Sequence, residues 1–161
     1  MEINVVKNKV HRMVNEFFDE SGFLKTIGRD GDGDLVLEMN WRGDVKCWVT
    51  VEEIIRFETL DKTWVDLDLP NFSVTFDTVV AMFLKPCVAL NKYVLEAVSE
   101  HLFTTPYLVM EEDKTQTLRL RSVIAADTLD TCELRNALIH LIRDFQYLRD
   151  GIPKSALMNS N

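Results

Sequence analysis

Apolar positions along this chain recur at two spacings, one helical and one alternating. Ile3, Val6, Val10, Met13, Val14, Phe17 and Phe18 fall on one face of a first helix, which Ser21-Gly22 ends. Phe23, Leu24 and Ile27 are expected to fold back onto a sheet. Residues 35–39 and 45–51 read as two strands joined through Arg42-Gly43-Asp44, and residues 54–60 as a third. Residues 63–69 fit either a fourth strand or an extended connection closed by Pro70.

From Ser73 to Lys85 the pattern turns helical, with Phe76, Val79, Val80 and Phe83 in register, and Pro86 breaks it. A helix over residues 87–102 then carries two apolar stripes. Val88, Asn91, Val94, Leu95, Val98 and Leu102 form the stripe expected to be buried. Leu90, Tyr93, Ala97 and His101 form the flanking one. A helix apolar on more than one face must meet something on both sides.

The stretch from Pro106 to Asp150 is the clearest: a hairpin over 107–110 and 117–124, turning at Glu111-Glu112-Asp113-Lys114, then a long amphipathic helix. In the second hairpin strand Leu118, Leu120 and Ser122 point one way, Arg119, Arg121 and Val123 the other. Leu134, Ala137, Leu138, Leu141, Ile142, Phe145 and Leu148 line the helix. Asp130 and Glu133 form a capping-box pair at its start, and Gly151-Ile152-Pro153 stops it. These readings give an α+β fold, an antiparallel sheet flanked by helices in the order α-β-β-β-α-β-β-α. One domain spans residues 1–153, and residues 154–161 are expected to be a mobile tail.

Composition narrows the function classes. With 18 Lys and Arg against 26 Asp and Glu, the formal charge is -8. No Lys/Arg cluster offsets it, so nucleic acid and anionic membranes are not expected partners. Cys47, Cys87 and Cys132 each sit in an apolar run, as buried thiols of a reducing cytoplasm would. The N-terminus has no export signal and no apolar run suffices to span a bilayer, so a cytoplasmic protein is expected.

No constellation of catalytic residues stands out. Asp30-Gly31-Asp32-Gly33-Asp34 opens like a calcium loop, but Leu35 stands where the turn needs Gly and Trp41 where a bidentate Glu is needed. His11, His101 and His140 lack metal-ligand spacing with one another or with the cysteines. Nucleophile elbows and phosphate or dinucleotide loops are absent. No metal, cofactor or enzymatic activity is therefore expected. The aromatic residues Trp41, Trp48, Phe57 and Trp64 cluster around the first strands. They either fill the core or form an apolar groove on the outer sheet face for a partner polypeptide.

The order of elements from Val5 to Asp150 resembles the fold shared by the YbjN family and the class I type III secretion chaperones. The helix opened by Leu90-Asn91 is similar to the central helix of that fold. Tyr107–Met110, Thr117–Arg121 and the segment from Leu129 to Phe145 are similar to its closing strand–strand–helix unit. The resemblance implies a homodimer built on the central helix, with Leu90, Tyr93, Val94 and Ala97 at the interface. It also implies apolar sheet patches that hold a partner chain. The expected function is thus a non-enzymatic polypeptide-binding protein, chaperone-like or regulatory. The alternative is an acidic immunity or inhibitor protein that caps a basic toxin or enzyme surface.

Overall fold

Phe72, Val74, Phe76, Thr78 and Val80 are buried while the residues between them are half-buried. That alternation is the signature of a central strand, and it overturns the helix expected from Ser73 to Lys85. In the computed structural model, which describes residues 2–21, 24–29, 35–40, 44–54, 70–100 and 103–158, this stretch is strand β4 (Phe72–Leu84). The residues before it are α1 (Ile3–Ser21), β1 (Leu24–Arg29), β2 (Leu35–Asn40) and β3 (Asp44–Glu53). After it come α2 (Val88–Glu100), β5 (Thr105–Met110), β6 (Gln116–Ala125) and α3 (Thr131–Asp150), then a short 3-10 turn (Lys154–Ala156).

The fold is α+β, with the six strands of the described residues in one antiparallel sheet ordered β1-β2-β3-β4-β6-β5. Leu24–Arg29, expected only to fold back onto the sheet, is itself an edge strand of it. Strands β2 and β3 pair antiparallel up to Asn40–Asp44, as the expected hairpin requires, and residues 41–43 between them lie outside the described residues. The expected strand over 54–60 falls, beyond Ile54, outside the described residues, as does the 63–69 segment.

Two β-branched runs, Val74-Thr75 and Thr78-Val79-Val80, explain why β4 is extended. Its neighbours β3 and β6 hydrogen-bond it on both sides. On its inner face Val74, Phe76 and Thr78 meet Val51, Val49 and Cys47 from β3, and Leu118 and Leu120 from β6 belong to the same buried core. Leu134, Leu138, Leu141 and Phe145 of α3, and Val6, Val10 and Val14 of α1, complete that core. Thr78 is tolerated there because its hydroxyl donates to the Lys46 carbonyl, 2.8 Å away.

Helix α3 starts as its sequence dictates. Glu133 N–H donates to the Asp130 carboxylate at 2.7 Å, and Asp130 N–H to the Glu133 carboxylate at 3.2 Å. It ends at Gly151, where the phenol of Tyr93 occupies the space a side chain would need. The Tyr93 hydroxyl donates to the carbonyls of Leu148 (3.0 Å) and Tyr147 (3.3 Å), fastening α2 to the last turn of α3. Gly151→Ala is therefore expected to displace Tyr93 and cost about 1–3 kcal/mol, measurable by urea denaturation.

The tail is docked, contrary to the expectation that it is mobile. Ala156 is fully buried, Lys85 N–H donates to its carbonyl at 2.7 Å, and Leu157 forms a bridge with Leu84. The single apolar side chain of Ala156 and two backbone contacts suffice, which is why a run so poor in large apolar residues reads as free. Residues 159–161 lie outside the described residues.

Candidate functional site

Helix α2 is apolar on two faces, and apart from Val94 the expected buried and exposed positions are reversed. Leu90, Val94 and Ala97 are buried in the protein's own core, and Tyr93 is half-buried against α3. Three of the four residues expected at a dimer interface, Leu90, Val94 and Ala97, are thus taken up by the chain's own core, and the fourth, Tyr93, is partly covered by α3. Of the stripe expected to be buried, Val94 is buried, but Val88 is 84% exposed, Leu95 69% and Val98 49%.

Val88, Asn91, Lys92, Leu95, Glu96 and Ser99 line a shallow depression of about 410 Å³ along this outer face. Lys92 and Glu96 form a solvated i,i+4 pair at 3.6 Å on its flank. Such a pair adds only about 0.3–0.5 kcal/mol. Asn91 and Lys92, on the stripe of Val88 and Leu95, were the signal for its outward orientation. The inner stripe carries no charged residue before its C-terminal end.

The outer sheet face holds a second cluster. Asp77 on β4 accepts from Arg119 of β6 at 2.8 Å through both Nε and a terminal guanidinium nitrogen. It also accepts from the Tyr107 hydroxyl of β5 and lies 3.5 Å from Arg121 Nε. The Arg119 guanidinium sits over the Trp48 ring at 5.3 Å, and that of Arg121 over Tyr107 at 4.4 Å. Burial alone would lower the pKa of Arg119, but the hydrogen bond and charge of Asp77 outweigh it and raise it. Trp48 is thus half-buried and engaged by an arginine within the chain. Trp41, Phe57 and Trp64 lie outside the described residues. The groove expected from all four is therefore represented by Trp48 alone, beside a satisfied polar network.

The cysteines differ from one another: Cys47 is buried, Cys87 half-buried and Cys132 exposed, which corrects the expectation of three buried thiols. Burial, then the charge of Asp77, pushes the Cys47 thiol up to about 12. It is neutral at physiological pH and unsuited to nucleophilic attack. Among the described residues no three of His, Cys, Asp and Glu converge as metal ligands. Likewise no helix is long and apolar enough to cross a membrane.

Two raised pKa values set an alkaline limit. Burial, then the charges of Tyr147 and Asp150, pushes the Tyr93 phenol up to about 12. For both groups the folded pKa exceeds the ordinary one, 9.0 for the thiol and 10.0 for the phenol. Their stabilising contribution is complete below those values and is lost as pH rises towards 12. Stability measured by denaturation should fall over that window, and iodoacetamide should label Cys132 while sparing Cys47 in the folded protein.

No protein-family model matches the chain, and no curated protein matches it. Among solved structures, an uncharacterized protein from Methanothermobacter thermautotrophicus is similar at 10% identity with a TM-score of 0.48. The match covers 85% of this chain and 92% of that one. At that score the similarity carries no argument about function.

Proposed function

We propose that this chain is a non-enzymatic, cytoplasmic polypeptide-binding protein, chaperone-like or regulatory, that works as a homodimer joined along the outer face of α2. The observation that carries this reading is the exposure of Val88, Leu95 and Val98 on a helix whose opposite face is already filled by the core. Burying these side chains on both protomers returns on the order of 10 kcal/mol. Association costs about 4–15 kcal/mol. Gain and cost are of similar size, so the dimer proposed is a weak, reversible one that opens and exchanges, not a permanent one.

The test is the concentration dependence of thermal unfolding. A dimer that unfolds to monomers has a Tm that rises with protein concentration. Leu95→Asp should keep the fold, because residue 95 faces solvent, and should abolish that rise. Leu90→Asp should unfold the chain outright, since it buries an unpaired charge in the core. A concentration-independent Tm for the natural sequence would contradict the homodimer. Steep weakening of partner binding by salt would favour charge-based capping of a basic surface.

A further inference from the structure

Strand β6 is longer than the strand that covers its outer edge. Strand β5 pairs with it from Gln116 to Arg121 only, although β6 continues to Ala125. The reason lies at the start of β5. The N–H groups of Phe103 and Thr104 donate to Asp144 Oδ2 at 2.9 and 3.1 Å, and the Thr104 hydroxyl does so at 2.8 Å. Asp144, buried on α3, thereby draws the chain off the track it would follow beside β6.

The direction of the backbone groups along the uncovered stretch can be assigned. Ala126 N–H donates to the Phe72 carbonyl at 2.8 Å, so residue 126 faces β4. Alternate residues of an antiparallel ladder face the same neighbour. Ile124 and Ser122, paired with Val74 and Phe76, therefore face β4 as well. The N–H and C=O groups of Val123 and Ala125 face the other way, into the space β5 leaves. Pro106, opposite Leu120, fits this phase, since its nitrogen without a hydrogen then points away from β6.

That space is a groove of about 570 Å³ between β6 and the first half of α3. Ile124, Ala125 and Ala137 supply apolar lining. Phe103, 70% exposed, forms a wall, its ring stacked on His140 at 4.2 Å and covered by the Arg143 guanidinium at 4.7 Å. Strand groups that no described residue pairs, beside an apolar trough, match an extended backbone with side chains of alternating character.

We propose that this groove takes an extended segment of the partner polypeptide, which adds a strand to β6 at Val123 and Ala125 and lays alternate apolar side chains between Phe103 and Ala137. The inference rests on the polypeptide-binding reading above but not on the homodimer, because the groove and the outer face of α2 share no residue.

The test uses the full chain and a short fluorescein-labelled peptide of alternating valine and lysine, followed by anisotropy. The control is the same peptide N-methylated at every second amide, which keeps charge and side chains but cannot pair. The parent peptide should bind at least tenfold more tightly than the control. Val123→Pro removes a single N–H that points into the groove and leaves the β4 ladder intact, and it should weaken the parent peptide about tenfold or more. Leu95→Asp should leave peptide affinity unchanged whatever it does to the dimer, so the two readings fail separately.

A second measurement needs no variant. The amide protons of Val123 and Ala125 should exchange quickly in the free protein and slowly with peptide bound, while those of Ser122 and Ile124 stay protected throughout. Equal binding of parent and N-methylated peptides would overturn the proposal. So would protection of Val123 and Ala125 in the free protein, or a halved molecular mass for Val123→Pro, which would place a second copy on this edge.

Discussion

Phe76→Ala is expected to lower the free energy of unfolding by about 3–5 kcal/mol, the range for emptying a large aromatic from a packed interior. Phe76 is fully buried at the middle of β4, between the β3 and β6 partners Val49 and Ser122. The informative comparison is Phe83→Gly. On a helix Phe76 and Phe83 would share a face. In the strand Phe83 is 61% exposed and has φ of 56°, a left-handed conformation that suits glycine better than phenylalanine. Phe83→Gly should thus leave stability unchanged or raise it slightly. Comparable losses for both substitutions in urea denaturation would show that the segment does not have the alternating burial of β4.

Asp144→Ala should cost about 3 kcal/mol. The carboxylate is 1% exposed and accepts from two backbone N–H groups and a hydroxyl on one oxygen, while Arg143 donates to the other at 2.7 Å. Arg143 is half-exposed and can turn to water, so most of the loss comes from the stranded donors of Phe103 and Thr104. Asp144→Asn keeps one acceptor oxygen for those donors and should lose roughly half as much. An alanine variant as stable as the natural sequence would mean that Asp144 does not anchor the start of β5.

Much of the architecture was legible in the residues because its signals are local. The capping pair of Asp130 and Glu133, the alternation from Leu118 to Val123 and the stripe from Leu134 to Leu148 each fix an element without reference to distant chain. Strand β4 was misread because Phe76, Val79, Val80 and Phe83 satisfy a helical period as well. The β-branched residues between them carried the better signal, since only a strand between two neighbours hides every second one.

The orientation of α2 could not follow from periodicity, because both stripes are apolar and only tertiary packing chooses the one that enters the core. Asn91 and Lys92 marked the outer stripe in advance. The anchoring role of Asp144 lay beyond sequence reading. Beside Arg143 near a helix end it looks like an ordinary solvated charge, and its partners are about forty residues away along the chain. The groove at β6 depends on that anchor and was equally hidden.

The central claim is that Val88, Leu95 and Val98 are covered by a second copy of this chain. Sedimentation equilibrium across the micromolar range tests it most directly. The account predicts a reversible rise from 18.6 kDa to twice that mass, abolished in Leu95→Asp while its circular dichroism stays that of the folded protein. A mass of 18.6 kDa at every concentration, or a dimer indifferent to Leu95→Asp, would contradict it.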